Sequence, residues 1–187
     1  DYYCLLISIS LPINNFHCPK KLFNDFKKEK YNFKINFNFS KVIDNCKNVP
    51  RKDGDTWINN IIVDTFKELH KAGKCHSVEC YESQNLIGGL YGVHLGSCFF
   101  GESMFSLKSN TSKYCLLYLL AILKKNNFSL LDSQFYNPHL LQFGAYEIEN
   151  KIYENKLIKG LEENRNFINI DNFQEVLSLV QSNNQRS

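Results

Sequence analysis

The feature that most constrains this chain is the stretch from Cys75 to Glu102, where three strand-period runs follow one another with almost nothing between them. Cys75 to Tyr81 and Asn85 to Leu95 are joined by Glu82-Ser83-Gln84, a link short enough for an antiparallel hairpin, and Ser97 to Glu102 begins directly afterwards. Such a meander needs cover on its apolar faces. The next segment supplies it, because Leu116, Leu117, Leu119, Leu120 and Leu123 make Thr111 to Lys125 a strongly apolar helix. Asn110 to Ser112 offer caps at its start, and Lys124-Lys125 sit at the end where the helix dipole favours cations. Phe128 to Gln134 then reads as a further strand. Antiparallel strands, a crossing helix and a returning strand define an α+β sheet domain.

The flanking segments extend this scheme. Tyr2 to Ile13 reads as a strand running into Pro12, and Lys20 to Phe26 as a short helix behind Pro19. Tyr31, Phe33, Ile35 and Phe37 alternate with polar residues in the period of a half-buried strand, and Ser40 to Cys46 has helical spacing. Pro50 to Gly54 is turn-rich, and Asp55 is a candidate N-cap for a helix from Thr56 to Lys71, with Gly73 placed as its C-terminal cap. Paired Gly88-Gly89 and spaced Gly92 and Gly96 predict a bulge, or a place where another chain or ligand comes close to the backbone. Asn137-Pro138 starts a short helix that Gly144 breaks before a strand at Tyr146 to Ile148. Beyond Lys151 the pattern is helical but polar, with one weak stripe of Tyr153, Leu157, Ile158 and Leu161 and another of Phe173, Val176, Leu177 and Val180; Ser182 to Ser187 is expected to fray.

Bulk properties exclude several classes. A chain of 187 residues with 43% hydrophobic content can bury a sizeable core. A net charge of +3 permits local contact with nucleic acid without requiring it, and with Arg51, Arg165 and Arg186 as the only arginines, phosphate contacts would rest on lysine. The seven cysteines lack CxxC or Cys/His spacing and are odd in number, which argues against a zinc site or a disulfide framework and for a reducing compartment. Cys80, Cys98 and Cys115 lie in apolar runs as small hydrophobes, and the five histidines show no metal-ligand spacing. The opening apolar run falls well short of the roughly 20 residues of a membrane span.

Two places carry chemistry. If Phe128 to Gln134 is one strand, Asp132 and Gln134 share a face, and an acid beside an amide can orient an amine and relieve it of a proton. The plainer reading is that Asp132 caps the next turn and Gln134 faces water. Glu102, beside Cys98, Phe99, Phe100 and Phe105, needs either a cation or a solvated cleft. Leu90, Met104, Leu116, Leu119, Leu123 and Leu131 can line an apolar pocket or simply form core.

These signals meet a more specific resemblance. His76-Ser77-Val78-Glu79, Leu86 to Val93, Gly96, Phe100-Gly101-Glu102-Ser103-Met104-Phe105-Ser106, Ser112-Lys113, Leu131-Asp132-Ser133-Gln134 and Phe143-Gly144-Ala145 follow, in order and spacing, the signature of leucyl/phenylalanyl-tRNA protein transferases. The chain resembles that family from about Phe16 to Leu157. The resemblance implies a GNAT-like mixed sheet flanked by helices, with a catalytic domain over residues 1–150 and a helical tail over 151–187. It implies transfer of leucine or phenylalanine from aminoacyl-tRNA to proteins whose N-terminal residue is lysine or arginine, by a cytoplasmic monomer, away from membranes. Aminoacyl-tRNA is the donor substrate, so no cofactor or metal is expected. Asp132 and Gln134 would position the acceptor amine, Glu102 would recognise the basic N-terminal residue, and Leu90, Met104, Leu116, Leu119, Leu123 and Leu131 would hold the transferred side chain. Trp57 would face the tRNA, and Lys108 and Lys113 would meet its phosphates.

The chain departs from the family pattern in three respects. It lacks the Gly-Gly-Asp-Leu and Phe-Pro-Trp-Phe stretches of the family's leading segment, and it begins at Asp1, so a missing N-terminal domain is expected. Leu119 and Leu123 replace aromatic residues, and Glu149-Asn150 stands where an arginine commonly follows. Two alternatives stay open: an acyl-coenzyme A N-acyltransferase, disfavoured because Lys108 to Lys113 lacks a pyrophosphate-cradling loop, and a non-catalytic module binding tRNA or protein N-termini.

Overall fold

In a computed structural model, residues 7–49, 57–134 and 138–182 are described. Among them seven strands form a mixed sheet in the order β2-β3-β4-β5-β6-β1-β7, and seven helices flank it, as the α+β reading requires. The described residues divide into two compact units: those within 7–25, 94–101, 120–134 and 138–182 form one, and those within 26–49, 57–93 and 102–119 the other.

The second unit holds the meander. Its elements are β2 (Asn32–Ile35), α2 (Phe39–Asn48), α3 (Asn60–Lys71), β3 (Cys75–Glu82) and most of β4 (Asn85–Leu95), with the later part of β5 (Cys98–Ser106) and the first part of α4 (Thr111–Lys125). A two-residue turn at Ser83 and Gln84 closes the β3–β4 hairpin, and the register shifts between Cys80 and Tyr81. The paired glycines lie opposite that irregularity, but what approaches them is the chain itself. A side chain at Gly88 would meet Thr111 of α4 at 2.5 Å, and one at Gly89 would meet Phe105 at 2.8 Å and Val42 of α2 at 3.4 Å. Successive strand residues face opposite ways, so α4 covers one face here and α2 the other. Under α2 and α3 lie Phe39, Val42, Ile43, Tyr91 and Phe105, all nearly inaccessible.

Several expected boundaries move. The helix expected from Thr56 starts at Asn60, because Asn59 Oδ1 accepts the N–H of Ile62 at 2.9 Å and so caps it; Asp55 lies outside the described residues, as do Pro50 to Gly54. Its other end matches expectation: Gly73 adopts φ +71, with Lys74 N–H donating to Leu69 O and Gly73 N–H to His70 O, a Schellman cap. The strand expected to stop at Glu102 continues to Ser106. Ser106 Oγ then accepts the N–H of Ser112 at 3.0 Å, so the start of α4 is tied from outside the helix.

The first unit comprises β1 (Ile7–Leu11), most of α1 (Lys20–Phe26), the start of β5, the end of α4, β6 (Leu130–Asp132), α5 (Pro138–Leu141), β7 (Tyr146–Glu149), α6 (Asn150–Glu162) and α7 (Phe173–Gln181). β6 is parallel to β5 and antiparallel to β1, which pairs in turn with β7. The expected stripe on α6 is corrected: Tyr153, Leu157 and Gly160 turn inward at i, i+4 and i+7, whereas Ile158 and Leu161 are exposed. Gly160 sets this orientation, since a side chain there would lie 2.3 Å from Cys98 Sγ and 3.0 Å from Ser129 Oγ. On α7, Val176 and Val180 are buried as expected.

Candidate active site

Asp132 closes β6, paired to Ser10 of β1 on one side and to Phe100 of β5 on the other. Strands on both flanks leave Asp132 only 5% exposed, so its carboxyl group must find donors within the protein. It finds two. Oδ1 accepts the backbone N–H of Gln134 at 2.7 Å, and Oδ2 accepts the hydroxyl of Tyr153, on α6, at 2.6 Å. Burial first, and then the Asp132 carboxylate, hold the Tyr153 phenol well above its ordinary range, so it remains a donor.

The alternation that put Gln134 on the same strand face as Asp132 does not hold. Ser133 N–H still donates to Ile9 O at 3.0 Å, but the strand has ended and Gln134 stands at φ +62 in the left-handed region. An Asx turn replaces the strand: Asp132 reaches two residues forward and pins the backbone of Gln134. The acid is therefore joined to the backbone of Gln134 through a turn. This is the capping arrangement that local reasoning favoured for Asp132, and it leaves Gln134 partly buried rather than facing water.

In the second unit Glu102 is partly buried on β5, and its charge adds to the burial that pushes the Cys75 thiol up to about 12. Leu90 (3% exposed) shares a strand face with Gly88, the face that α4 covers and toward which a Gly88 side chain would meet Thr111. Leu116 and Leu119 of α4 are buried, and Met104 is partly exposed. In the first unit Leu123 and Leu131 are buried. Trp57, 48% exposed, precedes α3. Lys108 pairs with Glu82 in an exposed ion pair that raises the lysine and lowers the carboxyl, while Lys113 is partly buried in the first turn of α4.

Sequence reasoning missed two residues. Tyr153 was visible only as a member of a weak stripe. Glu79, fully buried, accepts from Asn38 N–H (2.8 Å), Ser77 Oγ (2.8 Å) and the Tyr81 hydroxyl (2.7 Å), anchoring the start of α2 to β3. Its place in the His76 to Glu79 motif was the available signal. Among the described residues no cluster of three or more His, Cys, Asp and Glu is disposed to hold a metal ion, and no helix is long and apolar enough to cross a membrane.

Residues 10–158 match a family model described as leucyl/phenylalanyl-tRNA protein transferase. Three similar curated proteins carry that name. The one from Hyphomonas neptunium is 41% identical over 157 residues, covering 84% of this chain and 61% of that protein. The proteins from Maricaulis maris and Paramagnetospirillum magneticum are each 42% identical, covering 81% and 82% of this chain and 70% and 73% of their own lengths. The chain thus spans roughly two thirds of the curated relatives it matches, and the end of α6 and all of α7 lie beyond the family match.

Proposed function

Because this chain belongs to the leucyl/phenylalanyl-tRNA protein transferase family, we propose that it moves leucine or phenylalanine from aminoacyl-tRNA to the α-amine of proteins beginning with lysine or arginine. The observation that carries the reading is the Asp132–Gln134 turn, in which a buried carboxylate holds a glutamine backbone in a sparsely populated conformation. Such strain at a strand end is characteristic of functional positions.

The donor is an activated ester, so catalysis needs orientation more than activation. The acceptor amine, with an unperturbed pKa of about 7.7–8.0, is about a quarter to two fifths neutral near pH 7.5, so a reactive fraction is present without strong general-base help. Its nitrogen attacks the ester carbonyl, a C–N bond forms as the C–O bond to ribose breaks, and the proton lost by the amine reaches the departing ribose oxygen directly or through water. Gln134 accepts a hydrogen bond from the amine through its amide oxygen, which aims the nitrogen lone pair at the carbonyl. Asp132, with one donor on each oxygen, acts mainly by fixing Gln134 and supplying negative potential. Glu102 receives the cationic side chain of the N-terminal lysine or arginine. The family resemblance assigns the transferred side chain to Leu90, Met104, Leu116, Leu119, Leu123 and Leu131. Trp57 and Lys113 face the tRNA, joined by Lys108 when its exposed pair with Glu82 opens. We assign it as a cytoplasmic monomer that uses no cofactor.

The test is transfer of labelled phenylalanine or leucine from tRNA to a Lys- or Arg-initiated peptide. Gln134→Ala is expected to lower the rate by about 100-fold, within the range for loss of an orienting or acid–base group. An unaffected rate removes Gln134 from the mechanism. Binding of aminoacyl-tRNA by the unaltered chain without transfer would instead indicate a binding module.

A further inference from the structure

We propose that Tyr153 is a positioning residue for this transfer, holding Asp132 so that Asp132 in turn holds Gln134; the inference rests on the reading of Asp132 and Gln134 as the amine-handling pair. An aspartate carboxylate rotates readily about its terminal torsion, so one hydrogen bond to Gln134 N–H leaves its plane undefined. The second bond removes that freedom. With Tyr153 on Oδ2 at 2.6 Å and Gln134 N–H on Oδ1 at 2.7 Å, the carboxylate is clamped at both ends. Release of the Oδ2 end lets the group turn, the bond to Gln134 N–H lengthens, and the left-handed turn at φ +62 loses the contact that supports it.

The clamp has a rigid mount. Gly160 lies two turns along α6 on the same inward stripe, and its carbonyl accepts both the backbone N–H of Ser97 at 2.7 Å and the Ser97 hydroxyl at 3.2 Å. With no side chain at Gly160, the helix seats against Cys98 and Ser129, which fixes the height at which Tyr153 meets the end of β6. A tyrosine that merely found a convenient acceptor would need no such seat. Here a helix, a strand end and a turn converge on a single carboxylate.

Tyr153→Phe keeps the ring and removes only the donor. In the peptide-transfer assay the variant is expected to lose about 10- to 100-fold in kcat, the range equivalent to one hydrogen bond to a charged group, with KM for aminoacyl-tRNA and for the peptide within about threefold of the unaltered chain. Combined with Asp132→Ala, it should add no further loss, since the two act through one contact. Unchanged kcat, a loss confined to KM, or a double variant whose losses multiply would overturn the proposal. Failure of the unaltered chain to transfer leucine or phenylalanine is a separate result, which would refute the proposed activity and this role with it.

Discussion

Replacing Gly88 by alanine tests the layer packing on which the meander depends. The added carbon would lie 2.5 Å from both Thr111 Cβ and Oγ1 and 2.9 Å from the Thr111 carbonyl carbon. Carbon contacts relax to about 3.5–4.0 Å, so the start of α4 must retreat by roughly 1 Å. Because one of the atoms met is backbone, a side-chain rotation cannot relieve the clash. Overpacking of this kind costs about 1–3 kcal/mol. The shift also breaks the bond from Thr111 Oγ1 to Ile87 O, 2.9 Å long, at about 1 kcal/mol. Alanine recovers about 0.5–1 kcal/mol through lower chain entropy in the unfolded state. The net loss is about 1–3.5 kcal/mol, which in a chain of this size lowers Tm by roughly 2–14 °C. Thermal unfolding followed by circular dichroism measures it. Gly73→Ala is the control: nothing lies within 4 Å, but φ +71 strains any side chain, at about 1–2 kcal/mol. If Gly88→Ala melts with the unaltered chain, the close approach of α4 to β4 is wrong.

Glu79→Gln places a donor among three donors, leaving at least one of them unsatisfied in a fully buried position, and urea unfolding should show a loss of about 1–3 kcal/mol; unchanged stability would refute that network. Burial pushes the Cys18 and Cys75 thiols from an ordinary value of 9.0 up to about 12, and Cys98 up to about 11. The folded chain keeps protons that the unfolded chain releases above about 9, so these groups leave stability level below that pH and lower it as pH climbs toward 11–12. Urea midpoints between pH 7 and 10.5 test the sign, and a midpoint that rises above pH 9 contradicts it.

Much of the scaffold was legible in the order of residues. The helix Thr111–Lys125 is found with the bounds expected, because a long apolar run between polar ends is a local property. The β3–β4 hairpin follows from a short link between two strand-period runs, and Gly73 ends α3 because the left-handed cap favours glycine. The candidate site was legible differently. Asp132, Gln134 and Glu102 stood out through resemblance to a family motif, whereas local reasoning left Asp132 between an amine-handling pair with Gln134 and a turn cap, and asked of Glu102 either a cation or a solvated cleft.

The tertiary structure decided what no local pattern encodes. β5 runs on past Glu102 to Ser106, and β6 stops at Asp132 because its carboxylate draws Gln134 into a turn. The donor for its other oxygen comes from Tyr153, 21 residues later, and Glu79 draws its partners from α2's start as well as its own strand. Periodicity and caps act over one or two turns of chain and can be read there. A buried carboxylate must instead be satisfied by whatever donors distant segments bring to it, and Tyr153 becomes visible only once α6 is seated by Gly160 against the start of β5. For this chain the residue order marked out Asp132 and Gln134, and folding supplied the Tyr153 phenol that donates to the Asp132 carboxylate.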